Sequence, residues 1–412
     1  MRKSSVWRCL LGVEKAAIEG VRMEAVGVVV DVSLYRKQRH RCGRCRRRCP
    51  GYDAGEGRRR WRALDLGTTA AFIEAEAPRV TCPEHGVVVA AVPWADHDAR
   101  FTRAFEEQAA WLAVECSKSA VAGLMRVSWR SVGWILVRVS RRLLKGKDRL
   151  ADLRRIGIDE ISFRKGQRYL VVVVDHDRKR LVWAHEGRDE ATLDRFFFEL
   201  GPERSKLITH VSADGASWIA NVVALRCPNA IRCLDPFHVV AWATEALDEI
   251  RREVWNTARR AGDDVHARHL KRTRWALWKN ADDLSERQQG KLAWVQRVNS
   301  RLYRAYLLKE HLRLVFQLPI VDALELLEQW LRWAFNCRLQ PFVAVADRIV
   351  RHIDALIATL DHGLSNALVE AINTRIRLIT RRAYGFHSAQ PLIALALLSC
   401  GDHRPSLPGR AI

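Results

Sequence analysis

Three carboxylates in this chain stand where the sequence pattern would deliver them to one edge of a sheet. The first, Asp159, interrupts the short apolar run Ile156-Gly157-Ile158-Asp159-Glu160. After a polar turn containing Gly166, the residues from Tyr169 to Asp175 form a β-branched run, the pattern of a strand buried on both faces. The two runs predict an antiparallel hairpin. The second carboxylate, Asp214, follows the apolar run 207–212. The third, Glu370, lies in a stretch of helical period. At about 100° per residue, Glu370, Asn373, Thr374, Arg377 and Arg381 share one face, and Leu368, Ile372, Ile376 and Ile379 the other. Carboxylates gathered in a low-dielectric site repel one another unless a cation compensates them. A divalent-metal site follows from that; an ordinary Asp–Arg pair at Asp159 is the competing possibility in so arginine-rich a chain.

A second group has zinc chemistry. Cys42 and Cys45 form a C-x2-C pair, and Cys82 and His85 a C-x2-H pair. Together they offer four ligands suited to one tetrahedral structural Zn2+. The span between the pairs is longer than in a small zinc finger and suits a zinc ribbon of two hairpin knuckles. Cys49 is a possible substitute ligand, and reduced cysteines without metal are the alternative. An iron–sulfur centre would want four thiolates, which His85 argues against.

The surrounding elements must position these groups. Residues 101–140 divide into three helical pieces, 102–115, 117–125 and 128–142, with a tight turn before the third, as in a helix-turn-helix. A generic three-helix unit shares that pattern. On the third piece Val132, Ile135, Leu136 and Val139 turn inward, leaving Trp129, Arg130 and Arg138 on other faces as candidate DNA contacts. From Ile156 the expected order is three strands, a helix (191–200), a strand (207–212), a helix (217–226) and a strand (230–234). That is the ribonuclease H-like order, with the last two strands delivered by right-handed crossovers. A Rossmann-like sheet would need a glycine-rich phosphate loop after the first strand, and none is present. The last strand runs into Asp235-Pro236-Phe237-His238, where Asp235 could cap a helix. From 252 to 361 the pattern is helical, basic and rich in tryptophan. Arg268, Lys271, Arg272, Arg274 and Lys279 interleave with Trp275 and Trp278, which either stack unpaired bases or pack helices.

With 412 residues the chain should form two or three domains. Its 69 Lys+Arg against 47 Asp+Glu give a net charge of +22, the footprint of a polyanion partner such as nucleic acid. No run reaches the roughly 18 apolar residues of a membrane span, and 391–400 is about half that. Arg8, Glu14 and Lys15 break any signal-peptide core near the N-terminus. Cysteines at metal-ligand spacing argue against an oxidised scaffold. The expected location is the cytoplasm, in contact with the nucleoid, with no membrane partner.

Taken in order, Ile158-Asp159-Glu160, Ser212-Ala213-Asp214-Gly215, Asp235-Pro236-Phe237-His238-Val239, Ser365-Asn366 through Glu370, and Arg381-Arg382-Ala383-Tyr384-Gly385-Phe386 resemble the insertion-sequence transposases of the ISL-three family. That family belongs to the wider Asp-Asp-Glu (DDE) transposase and integrase group. The paired cysteine motifs fit it as well. The resemblance implies a zinc-binding N-terminal domain (1–98), a helix-turn-helix (99–150) and a ribonuclease H-like catalytic domain (151–250). An all-helical insertion (251–360) and a final helix with the tail (361–412) complete it. It further implies Asp159, Asp214 and Glu370 as catalytic ligands for two Mg2+ or Mn2+ ions, with Asp235 and His238 in support. Arg377, Arg381 and Arg382 would hold phosphates. The implied activity is binding of the element's terminal inverted repeats, metal-dependent cleavage of double-stranded DNA and joining of the freed 3′-OH to target DNA. It would act as a homo-oligomer in the synaptic complex. The rivals are a metal-dependent nuclease without strand transfer and a DNA-binding regulator.

Overall fold

Alternating apolar and polar residues build the N-terminal sheet. In β4 (Arg58–Leu66) Trp61 and Ala63 are buried while Arg58, Arg60 and Arg62 point the other way. The computed structural model describes residues 3–410 apart from Lys165, Gln167 and Gly215, and forms two units, Met1–Asp148 with Leu378–Ile412, and Arg149–Arg377. In the first unit α1 (Lys3–Leu11) precedes β1 (Ala16–Glu24) and β2 (Gly27–Leu34). With β5 (Thr69–Glu76) these make a four-stranded sheet in the order β1-β2-β5-β4. Its polar face carries Arg22, Arg58 and Arg60 paired with Glu24, Asp31 and Glu74. A smaller sheet orders β3 (Gly51–Asp53), β6 (Arg79–Cys82) and β7 (Gly86–Val89) as β3-β6-β7.

Three helices follow as expected: α2 (Arg103–Glu115), α3 (Lys118–Leu124) and α4 (Trp129–Leu144). Each begins at a hydroxyl cap. Thr102, Ser117 and Ser128 accept from the amides of Phe105, Ala120 and Ser131, satisfying donors the first turn leaves free.

The second unit contains β8 (Arg155–Arg164), β9 (Arg168–Asp175), β10 (Arg180–Glu186), α5 (Glu190–Leu200), α6 (Pro202–Ser205), β11 (His210–Ala213), α7 (Ser217–Arg226) and β12 (Ile231–Leu234). The sheet order is β10-β9-β8-β11-β12. The first three strands are antiparallel, and β11 runs parallel to both β8 and β12. The expected strand sequence is therefore present, with one shift. The strand expected at 207–212 begins at His210, because Pro202 starts a short helical turn and Leu207 is left 47 % exposed.

Helices occupy the rest: α8 (Pro236–Arg260), α9 (Asp264–Lys271), α10 (Arg274–Trp278), α11 (Glu286–Val298), α12 (Ser300–Val315), α13 (Ile320–Asn336), α14 (Gln340–Arg351), α15 (Ile353–His362), α16 (Ala367–Arg382) and α17 (Ala389–Cys400). Helices α8 to α15 share a core in which Trp330 is fully buried and donates from Nε1 to the Leu308 carbonyl at 2.7 Å. Trp255, Trp278, Trp294 and Trp333 pack half-buried against that core, whereas Trp275 is 60 % exposed. Within the first unit α17 packs on α4 and α2, so the apolar run 391–400 is core. No helix among the described residues is long and apolar enough to cross a membrane.

Candidate functional site

Carboxylates stand on all three parallel strands, Asp159 within β8 and Asp214 and Asp235 just past the ends of β11 and β12. Pairing sets Ile158 beside Ala213 and Ala213 beside Leu234, so Asp159, Asp214 and Asp235 each follow a paired residue on neighbouring strands. Asp159 is held at both oxygens: Oδ1 accepts the Glu160 amide at 2.7 Å and Oδ2 accepts the Asn373 side-chain amide at 2.7 Å. Burial and the neighbouring Asp214 charge push its carboxyl up to about 6, although the Glu160 amide favours the anion. Asp214 is half-buried, and its Oδ1 accepts the Ala216 amide at 3.0 Å; Gly215 beside it lies outside the described residues.

The contact from Asn373 brings Glu370 into the same region. Val369, Ile372 and Ile376 are buried on one side of α16, and Thr374, Arg377 and Arg381 are exposed. Glu370 stands three residues, or ~4.5 Å of helical rise, before Asn373 on the same face. It is half-buried, with no hydrogen bond or ion pair on its carboxylate among the described residues. Close packing supports this approach: a Cβ at Gly157 on β8 would collide with Val369 of α16 and with His176. Asp159, Asp214 and Glu370 do not form a group of ligand atoms mutually within 4.8 Å.

Asp235 and His238 form a pair of their own. His238 Nδ1 donates to Asp235 Oδ2 at 2.9 Å, a contact that raises the imidazole pKa. Asp235 is buried, and its other oxygen accepts the Asn366 backbone amide at 3.3 Å. A buried chain continues from there: Ser212 Oγ donates to Asn366 Oδ1 at 2.5 Å, so His176 Nε2, 2.8 Å from Ser212 Oγ, must donate to it. Burial, with Arg155 nearby, pushes His176 down to about 4, which keeps it neutral for this role. His176 and the polar roles of Asn366 and Asn373 were missed in the sequence. Their signals were weak: a polar residue ending the β9 run, and two asparagines flanking Glu370.

The thiol site is more compact. Cys42, Cys45, Cys82 and His85 place one ligand atom each within 4.8 Å of all the others. Cys45 and Cys82 sulfurs are 3.7 Å apart, and His85 Nδ1 lies 3.8 Å from Cys42 Sγ and 3.5 Å from Cys82 Sγ. A tetrahedral Zn2+ with Zn–S of about 2.3 Å and Zn–N of about 2.0–2.1 Å requires edges of about 3.8 and 3.6 Å, so the donor set fits zinc. The first knuckle is shaped by backbone: Arg44 N donates to Cys42 Sγ at 3.4 Å and Arg46 N to the Cys42 carbonyl at 3.0 Å. Cys49 is buried nearby but outside the four, its thiol donating to the Arg47 carbonyl at 3.4 Å.

The candidate DNA contacts divide into engaged and available side chains. Arg138 pairs at 2.7 Å with Glu106, whose carboxylate is fully buried, and Arg382 donates to the Val114 and Cys116 carbonyls at 3.0 and 3.3 Å. The Trp129 ring packs under the Lys118 ammonium, 3.1 Å from its centroid, and against Phe386 and His387. Arg130, Arg377 and Arg381 are exposed.

Comparison with known proteins agrees with this layout. A transposase model of ISL3 type, of the DDE class, matches residues 156–396. The helix-turn-helix domain of transposase family ISL3 matches 90–140, and the zinc-finger of transposases IS204, IS1001, IS1096 and IS1165 matches 38–85, the segment holding all four thiol-site ligands. The transposase for insertion sequence element IS1557 of Mycobacterium tuberculosis, recorded in two strains, is 54% identical over 436 aligned positions, covering 100% of this chain and 98% of the relative. The transposase for IS1001 of Bordetella parapertussis is 27% identical over 335, covering 81% and 82%. The family match spans the carboxylate-bearing strands and α16, and the IS1557 relative spans the whole chain: this protein belongs to the ISL3 family of transposases.

Proposed function

We propose that this chain is a DNA transposase that binds the terminal inverted repeats of its insertion sequence, cuts DNA at the element ends and joins the freed ends to target DNA. The observation that carries the site assignment is the 2.7 Å contact from Asn373 to Asp159, which draws the Glu370 face of α16 toward Asp159 on β8, beside Asp214 at the end of β11. The strand order β10-β9-β8-β11-β12 supports a ribonuclease H-like catalytic domain (151–250), interrupted by a helical insertion (251–360) and completed by 361–412. Residues 1–98 would carry the zinc and 99–150 the helix-turn-helix.

Asp159, Asp214 and Glu370 would hold two Mg2+ or Mn2+ ions, since their donors are all hard carboxylate oxygens. Bound there, such ions supply activation of a water or DNA 3′-hydroxyl and stabilisation of the leaving oxygen. The Asn373 side chain and the Glu160 amide fix both Asp159 oxygens, so the carboxylate is oriented before substrate arrives. Asp214 suits the ligand role better than Asp235: it is half-buried, whereas Asp235 is buried with its carboxylate paired to His238. Arg377 and Arg381 would bind phosphates along the same face. The chain would work as a homo-oligomer that pairs two ends, in the cytoplasm at the nucleoid.

The test is incubation with duplexes carrying candidate element ends and Mg2+, followed by mapping of cut and joined products. Cuts at the ends with joining into a second duplex are expected. Cutting without joining would identify a nuclease, and binding without cutting a regulator.

A further inference from the structure

A cavity of about 1110 Å³ opens among α8, α9, α10 and α11, away from the carboxylate site. Among the described residues, nine lysines and arginines line it and no carboxylate does. Asp248 is paired with Arg251 and Arg252, but Lys271, Arg272, Arg274 and Lys279 have no ion-pair or hydrogen-bond partner for their side-chain charges among the described residues. So many like charges without ion-pair partners around one space make a strongly positive surface that favours a polyanion. The aromatic residues narrow the choice. Trp275, on the wall, is 60 % exposed while Trp330 of the same helical core is fully buried. The Arg274 guanidinium stacks 4.0 Å from the Trp278 ring and 5.5 Å from that of Trp275, leaving an indole open beside a layer of cations. Intact duplex offers phosphates but hides its base faces; an unpaired strand offers both.

We infer that this cavity binds a single-stranded segment of DNA, with phosphates on Lys271, Arg272 and Lys279 and one unstacked base on Trp275. Within the transposase reading on which it rests, the ligand is a strand separated near a cut end. The site acts by binding alone and adds no chemical step.

The test uses the full chain and fluorescence anisotropy with a 20-nucleotide oligothymidylate and with a duplex of equal length. Trp275→Ala should weaken oligothymidylate binding by about tenfold, the scale of one base–aromatic stack, and leave duplex binding within about twofold. Trp275→Phe should restore most of the loss. Arg272→Ala with Lys279→Ala should lower the salt slope for the single strand by about 1.4, at ~0.7 per phosphate. Unchanged oligothymidylate binding in Trp275→Ala, or equal losses for single strand and duplex, would overturn the proposal. Cleavage of element ends, assayed in the same preparation, separates the two readings. Trp275-dependent binding without cleavage retains this site and removes the transposase reading; cleavage without Trp275 dependence does the reverse.

Discussion

The thiol cluster and the three carboxylates are both assembled from distant parts of the chain, and they are gathered to different degrees. Cys42 and Cys45 sit on one knuckle, shaped by the Arg44 and Arg46 amides, and Cys82 and His85 on another. Their donor atoms already stand at tetrahedral spacing. Asp159, Asp214 and Glu370 come from the middle of β8, the end of β11 and a helix, and their oxygens are not gathered in the same way. Thiols and an imidazole can approach one another as neutral groups, whereas adjacent carboxylates meet the cost visible at Asp159, whose carboxyl burial and Asp214 hold near 6. The thiol cluster is closed by the fold itself, whereas Asp159 is held by its neighbours, Asn373 and the Glu160 amide.

The largest effect that tests this contrast comes from the carboxylates. Asp159→Asn, Asp214→Asn and Glu370→Gln should each lower Mg2+-dependent cleavage of element ends by on the order of 10³-fold or more while leaving end binding intact. Near-wild-type cleavage by any one of them removes that residue from the site, and a greater loss in Asp235→Asn than in Asp214→Asn exchanges the second aspartate.

The thiol site should fail in another way. Cys45→Ser should lose the single equivalent of Zn2+ measured by metal analysis and lose specific end binding, because zinc-site binding energy is folding energy. Zinc kept by Cys45→Ser but lost by Cys49→Ser would move Cys49 into the set.

Asn373 sharpens the comparison. Asn373→Leu keeps roughly the size but removes the donor to Asp159, and should cost about 10–100-fold in cleavage, recovered in part by raising Mg2+. Loss of binding with unchanged metal dependence would instead make Asn373 a packing residue. The smallest effect is expected on α16. Arg377→Ala and Arg381→Ala should each flatten the salt dependence of duplex binding by about one unit with little change in melting temperature, and Arg375→Ala should do less. The reverse order would mean that the helix presents another face to DNA.

Much of this was legible in sequence because it rested on period and spacing. The β-branched run ending at Asp175 marked a central strand, and the two faces of α16 followed from a 100° step, with Ile372 and Ile376 buried and Arg377 exposed. The C-x2-C and C-x2-H pairs named all four members of the thiol cluster. What stayed hidden depends on packing between segments far apart. The chain from His176 through Ser212 to Asn366 joins three regions that no local pattern connects. Arg138 and Arg382 looked like phosphate contacts, yet a buried Glu106 and two carbonyls engage them, which charge counting along the chain cannot reveal. Trp275 and Trp278 lie three residues apart with similar neighbours, and only the folded helices separate the exposed indole from the packed one.

Whether Asp159, Asp214 and Glu370 converge on divalent ions can be read by soaking crystals of the protein bound to an element-end duplex in Mn2+ and locating the anomalous peaks. Two peaks held by Asp159, Asp214 and Glu370 are expected, both absent in Asp159→Asn. Peaks on Asp235 and His238 with Glu370 uncoordinated would contradict that convergence.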